Sequence, residues 1–175
     1  MNFYEIMEQM IEQYGASTET KQSLQLSKAI EEGDTALVRR LLEAGTPFSW
    51  SAVNGAIADG RPTELRLLLE HKASATILDP DAHTWSDPTT RLVTSTPLGA
   101  VLTAFVPDKA TKLKMCKLLV EFNADVNARV PDKTLKELAI EEHADSPGIT
   151  NLFLSIPDAP PAPMPRALLS LPATR

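Results

Sequence analysis

The stretch EEGDTALVRRLLEAG, Glu31 to Gly45, returns in weaker form further along as ADGRPTELRLLLEHK, Ala58 to Lys72. Laid over one another without a gap, Ala29-Ile30 falls on Ala56-Ile57, Gly33 on Gly60, Val38 on Leu65, and Leu41-Leu42 on Leu68-Leu69. A chain that repeats small residues, a glycine and paired leucines in this order encodes one supersecondary unit twice. Such a unit, a pair of short antiparallel helices, cannot bury its apolar face alone, so neighbouring pairs stack and share one core. Small residues let the first helices approach closely, and leucine pairs fill the seam between the second helices. The glycine between them takes the left-handed conformation that a tight turn requires.

Two further units follow the same pattern. STPLGAVLTA, Ser95 to Ala104, and KMCKLLVEFNADVNA, Lys114 to Ala128, put Val101-Leu102 and Leu118-Leu119 into the corresponding places. DKTLKELAIEEH and ITNLFLSI do so with Ala139-Ile140, Ile149 and Leu152-Phe153, and Ala139-Ile140-Glu141-Glu142 repeats the tetrapeptide Ala29-Ile30-Glu31-Glu32.

Thr96-Pro97-Leu98, together with Asn123-Ala124-Asp125-Val126-Asn127, resembles the ankyrin repeat, whose signature opens T-P-L-H and whose finger reads G-A-D-V-N. The resemblance covers roughly residues 24–155. It implies an all-α, ankyrin-like helical repeat solenoid of about four helix pairs. The chain departs from the family in several places. The step from Leu41-Leu42 to Leu68-Leu69 is short for the family, and the step from there to Leu118-Leu119 is long, with extra residues in Thr76 to Ser95 and in Phe105 to Thr111. The motif histidine is replaced by Ser27, Asn54, Gly99 and Glu137. Lys72 and His143 occupy glycine places, and Lys136 stands where an inner leucine is expected, which suits a terminal unit whose outer side meets water. Leu119 followed by Asp125-Val126-Asn127 also resembles the site at which an asparaginyl hydroxylase modifies ankyrin proteins. The plainer role for Asn127 is tying the finger turn through its side chain.

The chain thus divides into an N-terminal amphipathic capping helix in residues 1–23, a repeat domain in 24–156 and a flexible tail in 157–175. Phe3, Ile6, Met7, Met10, Ile11 and Tyr14 form one apolar helical stripe, expected to pack over the open end of the first unit; a detachable, partner-binding helix is the sharper alternative. From Ile156 onward the chain holds six of its 14 prolines, a composition that favours extended, disordered chain.

Chemistry has few residues to work with. Cys116 is the lone cysteine, within an apolar helical run, so it reads as a core thiol, and no disulfide or multi-cysteine metal cluster can form within the chain. His71, His83 and His143 belong to different units and share no ligand spacing. Asp79, Asp81 and His83 could catch a cation, but the loop lacks the glycine and terminal glutamate of a calcium loop, and turn chemistry explains it. There is no phosphate-binding glycine loop and no nucleophile elbow. No catalytic, cofactor-binding or metal-binding residue is assigned, and the protein is expected not to be an enzyme.

A net charge of −6 disfavours nucleic acid and anionic membrane as partners. The acidic start MNFYEIMEQMIEQY does not read as a secretory leader, and no stretch approaches a membrane span, so a cytoplasmic monomer is expected. The expected function is protein binding, as a scaffold or adaptor, through a rigid concave surface bearing Lys28, Glu31, Glu32, Ala58, Asp59, Glu141 and Glu142. Fingers and loops would add Trp50, His83 and Trp85, because buried aromatics dominate binding hot spots; the alternative for both tryptophans is that they fold back on their own helix pairs. An acidic inner face favours a partner with a basic surface. A dedicated inhibitor, immunity protein or secreted effector is the alternative, and a metal-dependent hydrolase built on Asp79, Asp81 and His83 a distant one.

Overall fold

The computed structural model describes residues 3–14, 17–73, 75, 96–103, 108–130 and 133–157. They are mainly helical, and the class is all-α. Helix α1 spans Phe3–Tyr14, α2 Thr18–Glu32, α3 Thr35–Glu43, α4 Trp50–Ala58, α5 Pro62–Glu70, α6 Pro97–Thr103 and α7 Lys109–Glu121. A two-stranded antiparallel hairpin then pairs β1 (Arg129–Val130) with β2 (Lys133–Thr134), and α8 (Leu135–Glu142) and α9 (Pro147–Leu154) follow.

Local chemistry sets the helix starts. The Ser17 hydroxyl accepts from the Thr20 N–H (3.1 Å), and the Asp34 carboxylate accepts from the Leu37 N–H (3.0 Å). Asp108 takes the Ala110 and Thr111 N–H groups, at 3.1 and 2.9 Å. Each satisfies a donor that the first turn of a helix leaves open. Helices α5 and α9 instead begin with proline, whose missing N–H costs nothing at that position.

The helix ends repeat as well. Gly33 and Gly60 have φ of +73° and +62°. At the ends of α3, α5 and α7, the left-handed residue is Gly45 (+80°), Lys72 (+72°) and Asn123 (+64°). In each of these three turns the N–H of the following residue reaches back to the helix: Thr46 to the Leu41 carbonyl at 3.0 Å, Ala73 to Leu68 at 2.9 Å and Ala124 to Leu119 at 2.9 Å. This is the wrap-back bond that closes a helix onto a left-handed residue. Lys72 therefore does adopt the glycine-like conformation its place implies. His143 does not, with φ of −117°; its Nε2 donates instead to the Leu102 carbonyl at 3.1 Å, tying the end of α8 to the end of α6.

Packing follows chain order. Helices pair as α2/α3, α4/α5, α6/α7 and α8/α9; α2, α4, α6 and α8 contact one another in sequence, and so do α3, α5, α7 and α9. The matching positions are buried together: Leu26, Val53 and Leu98; Ala29, Ala56, Val101 and Ala139; Val38, Leu65, Met115 and Ile149; Leu42, Leu69, Leu119 and Phe153. All belong to one continuous core. Glu64, buried in the first turn of α5, accepts from the Thr35 hydroxyl at 2.5 Å and pins α5 to α3. Lys136 breaks the apolar column, as its sequence position implies. Half-buried, it donates from Nζ to the Ile156 carbonyl at 2.6 Å.

Three expectations are corrected. Trp50 does not stand on a finger: it is the first residue of α4 and is buried, at 7% exposure, because Ser49 starts the helix one residue earlier and turns the indole into the core. Asn127 does not tie the finger with its side chain; the Asp125 carboxylate accepts from the Asn127 N–H at 2.9 Å. Helix α1 does not bury its apolar stripe in full, since Ile6 and Met10 are 42% and 48% exposed. The proline-rich tail beyond residue 157 lies outside the described residues, as do Asp79, Asp81, His83 and Trp85.

Candidate functional site

Acidic residues gather at the C-terminal ends of three of the first helices, α2, α4 and α8. Glu31 and Glu32 close α2, Ala58 and Asp59 lie at the end of α4, and Glu141 and Glu142 close α8. All six are exposed, while Lys28, one turn back on α2, is half-buried. Helix C-termini already carry partial negative charge, so carboxylates there work against the helix dipole by a few tenths to about 1 kcal/mol each. Neither the last turn of α2 nor that of α8 contains a basic residue to relieve this.

Arg61 is the partial answer at one end of the surface. Its Nη2 donates to the Glu31 carbonyl at 2.7 Å, capping α2 from outside. The guanidinium lies so close over the turn that a Cβ on Gly33 would meet Nη1 at 2.6 Å. Burial and the charge of Glu31 hold the Asp59 carboxyl above its ordinary value, against the pull of Arg61.

Tyr4 of α1 completes this end. Its side chain hydrogen-bonds to Glu31, with the phenol donating to the carboxylate. Burial and that bond, with the nearby charges of Asp59 and Glu32, push its pKa up to about 12. The structure therefore brings Glu31, Glu32 and Asp59 together around one phenol. Glu141 and Glu142 are not part of that group; α6 stands between α4 and α8, and Glu141 is paired with Lys133. Sequence reasoning missed both Tyr4 and Arg61. Tyr4 lies off the apolar stripe, and Arg61 sits in a turn, so neither is marked by periodicity.

The basic run of α7 does not act as one patch. Lys109 pairs with Asp145 at 2.5 Å. Lys112 turns inward, its Nζ 3.2 Å from the Leu102 carbonyl, and loss of water lowers its pKa. Lys114 and Lys117 line a shallow groove of about 450 Å³ between α5 and α7, where Arg66 is held by Glu121 at 3.0 Å.

Cys116 is fully buried, and burial pushes its thiol up to about 12, which leaves it protonated and unsuited to nucleophilic work near neutrality. Among the described residues, no group of three His, Cys, Asp or Glu side chains could hold a metal ion, and no helix is long and apolar enough to cross a membrane. A scan of the sequence against protein-family models finds no match, and none of the curated proteins compared with it matches.

Proposed function

We propose that the chain is an ankyrin-like helical repeat solenoid whose function is to bind a protein partner, with no catalysis of its own. The likeness of its units supports the architecture: matching columns of buried residues, left-handed turn residues at matching positions and the same wrap-back bonds. The observation that carries the binding reading is the placement of Glu31, Glu32 and Asp59, exposed at the negative ends of α2 and α4. Carboxylates gathered against two helix dipoles oppose local stability, and a basic partner surface would relieve both repulsions at once. Stacked helices present such a surface with little ordering entropy left to lose on docking.

The test is affinity capture from lysate of the source organism, wild type beside a Glu31→Lys/Glu32→Lys/Asp59→Lys variant checked for native helicity. A protein recovered by the wild type and lost by the variant supports the acidic surface. Identical recovery by both sends the search to the groove of Arg66, Lys114 and Lys117 or to the stretch of sequence around Trp85. Recovery of nothing specific by either would count against a binding module.

A further inference from the structure

We propose that the groove between α5 and α7 is a second docking surface, that it receives an acidic segment of a protein partner, and that Glu121 holds the place of one partner carboxylate until that segment docks. The inference goes beyond the acidic-surface reading above and fails independently of it, because it assigns the opposite charge preference to a different face.

The groove encloses about 450 Å³, and its charged lining is Arg66 from α5 with Lys114, Lys117 and Glu121 from α7. Three cations and one carboxylate leave that lining at +2, on a chain whose own net charge is −6. The observation that points to a carboxylate ligand is the pair already seated there. Arg66 donates from Nη1 and Nη2 to the two oxygens of Glu121, at 3.3 and 3.0 Å. This is the paired geometry by which a guanidinium recognises a carboxylate, so the groove demonstrably holds one. The two side chains are 46% and 57% exposed, and an exposed ion pair adds little to folding, so a partner carboxylate replaces Glu121 at small cost. Lys114 and Lys117 stand one helical turn apart and join no ion pair among the described residues. Asp108 senses the charge of Lys114, but its carboxylate is engaged by the Ala110 and Thr111 N–H groups. Glu70 lies 3.8 Å from Arg66, beyond hydrogen-bond reach. Pro62 and Thr63, in the first turn of α5, form the remaining edge; that turn has no side-chain cap, and its partial positive charge adds to the same preference. The carboxylate of that turn, Glu64, is buried and held by Thr35 of α3. A single carboxylate would meet Arg66 alone, whereas successive carboxylates of an acidic segment meet Arg66 and both lysines.

The probe is a dye-labelled peptide of six glutamates, titrated against the full-length protein at low and at moderate salt. It is expected to bind, and to bind more weakly as salt rises. Lys114→Ala/Lys117→Ala, checked for native helicity, should weaken binding roughly tenfold, as expected for the loss of two exposed ion pairs. Lys21→Ala/Arg39→Ala removes the same charge from exposed positions on α2 and α3 and should leave affinity within about twofold. Glu121→Gln removes the resident competitor and should tighten binding about two- to fivefold. No binding at low salt, or equal losses in the two double variants, would overturn the groove as a docking surface. Unchanged or weaker binding to Glu121→Gln would overturn the exchange. A peptide of six lysines, titrated alongside, reports on the acidic surface of α2 and α4 alone, so the two readings are separated.

Discussion

Replacing Lys72 with glycine should stabilise this protein. Lys72 holds φ of +72° at the end of α5, the position that Gly45 takes at the end of α3. A residue with a Cβ pays about 1–2 kcal/mol to adopt that conformation. Glycine adopts it freely but loses more chain entropy on folding, by roughly 0.5–1 kcal/mol. Because the Lys72 side chain is exposed, little packing is lost with it. The balance favours Lys72→Gly by about 0.5–1 kcal/mol. With a urea slope of about 2 kcal/mol/M, the unfolding midpoint rises by roughly 0.3–0.5 M. The reciprocal change supplies the control. A Cβ on Gly45 meets nothing within 4 Å, so Gly45→Ala tests backbone strain alone and should lower the midpoint by a similar amount. Opposite signs at these two matching helix ends are the result to look for. A lower midpoint for Lys72→Gly, with the slope unchanged, would refute the reasoning.

Leu65→Ala, at a fully buried site, should cost about 2–5 kcal/mol in urea unfolding, and a loss below about 1 kcal/mol would mean that α5 is not part of the shared core. Cys116 should resist alkylation under native conditions and react at the rate of unfolding, because its thiol is buried and its pKa is pushed up to about 12; fast labelling at neutral pH would contradict this. Burial lowers the His143 pKa below its ordinary value of about 6.5, so its neutral form favours the folded state. Its contribution is complete above that value and is lost as pH falls through the lower folded pKa. The stability difference between wild type and His143→Gln should accordingly shrink on acidification, as unfolding titrations at several pH values would reveal.

What the sequence made legible was local or periodic. The paired leucines, the small residues of the first helices and the turn glycines sit where helical spacing places them, and even Lys72 was marked by the glycine it displaces. At Glu137, where the ankyrin likeness would place a histidine, Thr134 and Glu137 form a reciprocal cap, a threonine and a glutamate one helical turn apart. Trp50 was misplaced because GTPFSW reads as a loop, and its orientation depends on where α4 begins, a boundary that shifts by a residue or two on weak signals. The meeting of Tyr4, Arg61 and Glu31 joins three separate segments of chain through packing that no local spacing encodes. Like the hairpin of β1 and β2, it depends on contacts beyond the reach of helical periodicity.

The neighbour-to-neighbour packing of the helix pairs has a kinetic consequence. Each pair docks on a partner formed only a short chain length away, which keeps contact order low and favours rapid assembly. The exception is the docking of α6 and α7 onto α4 and α5, where the chain from Leu68 to Leu118 is nearly twice as long as that from Leu41 to Leu68. Closing that longer loop adds about 0.5 kcal/mol of chain entropy. This step is the natural place for assembly to pause, with the helices before the insertion joined to one another and those after it still waiting to dock.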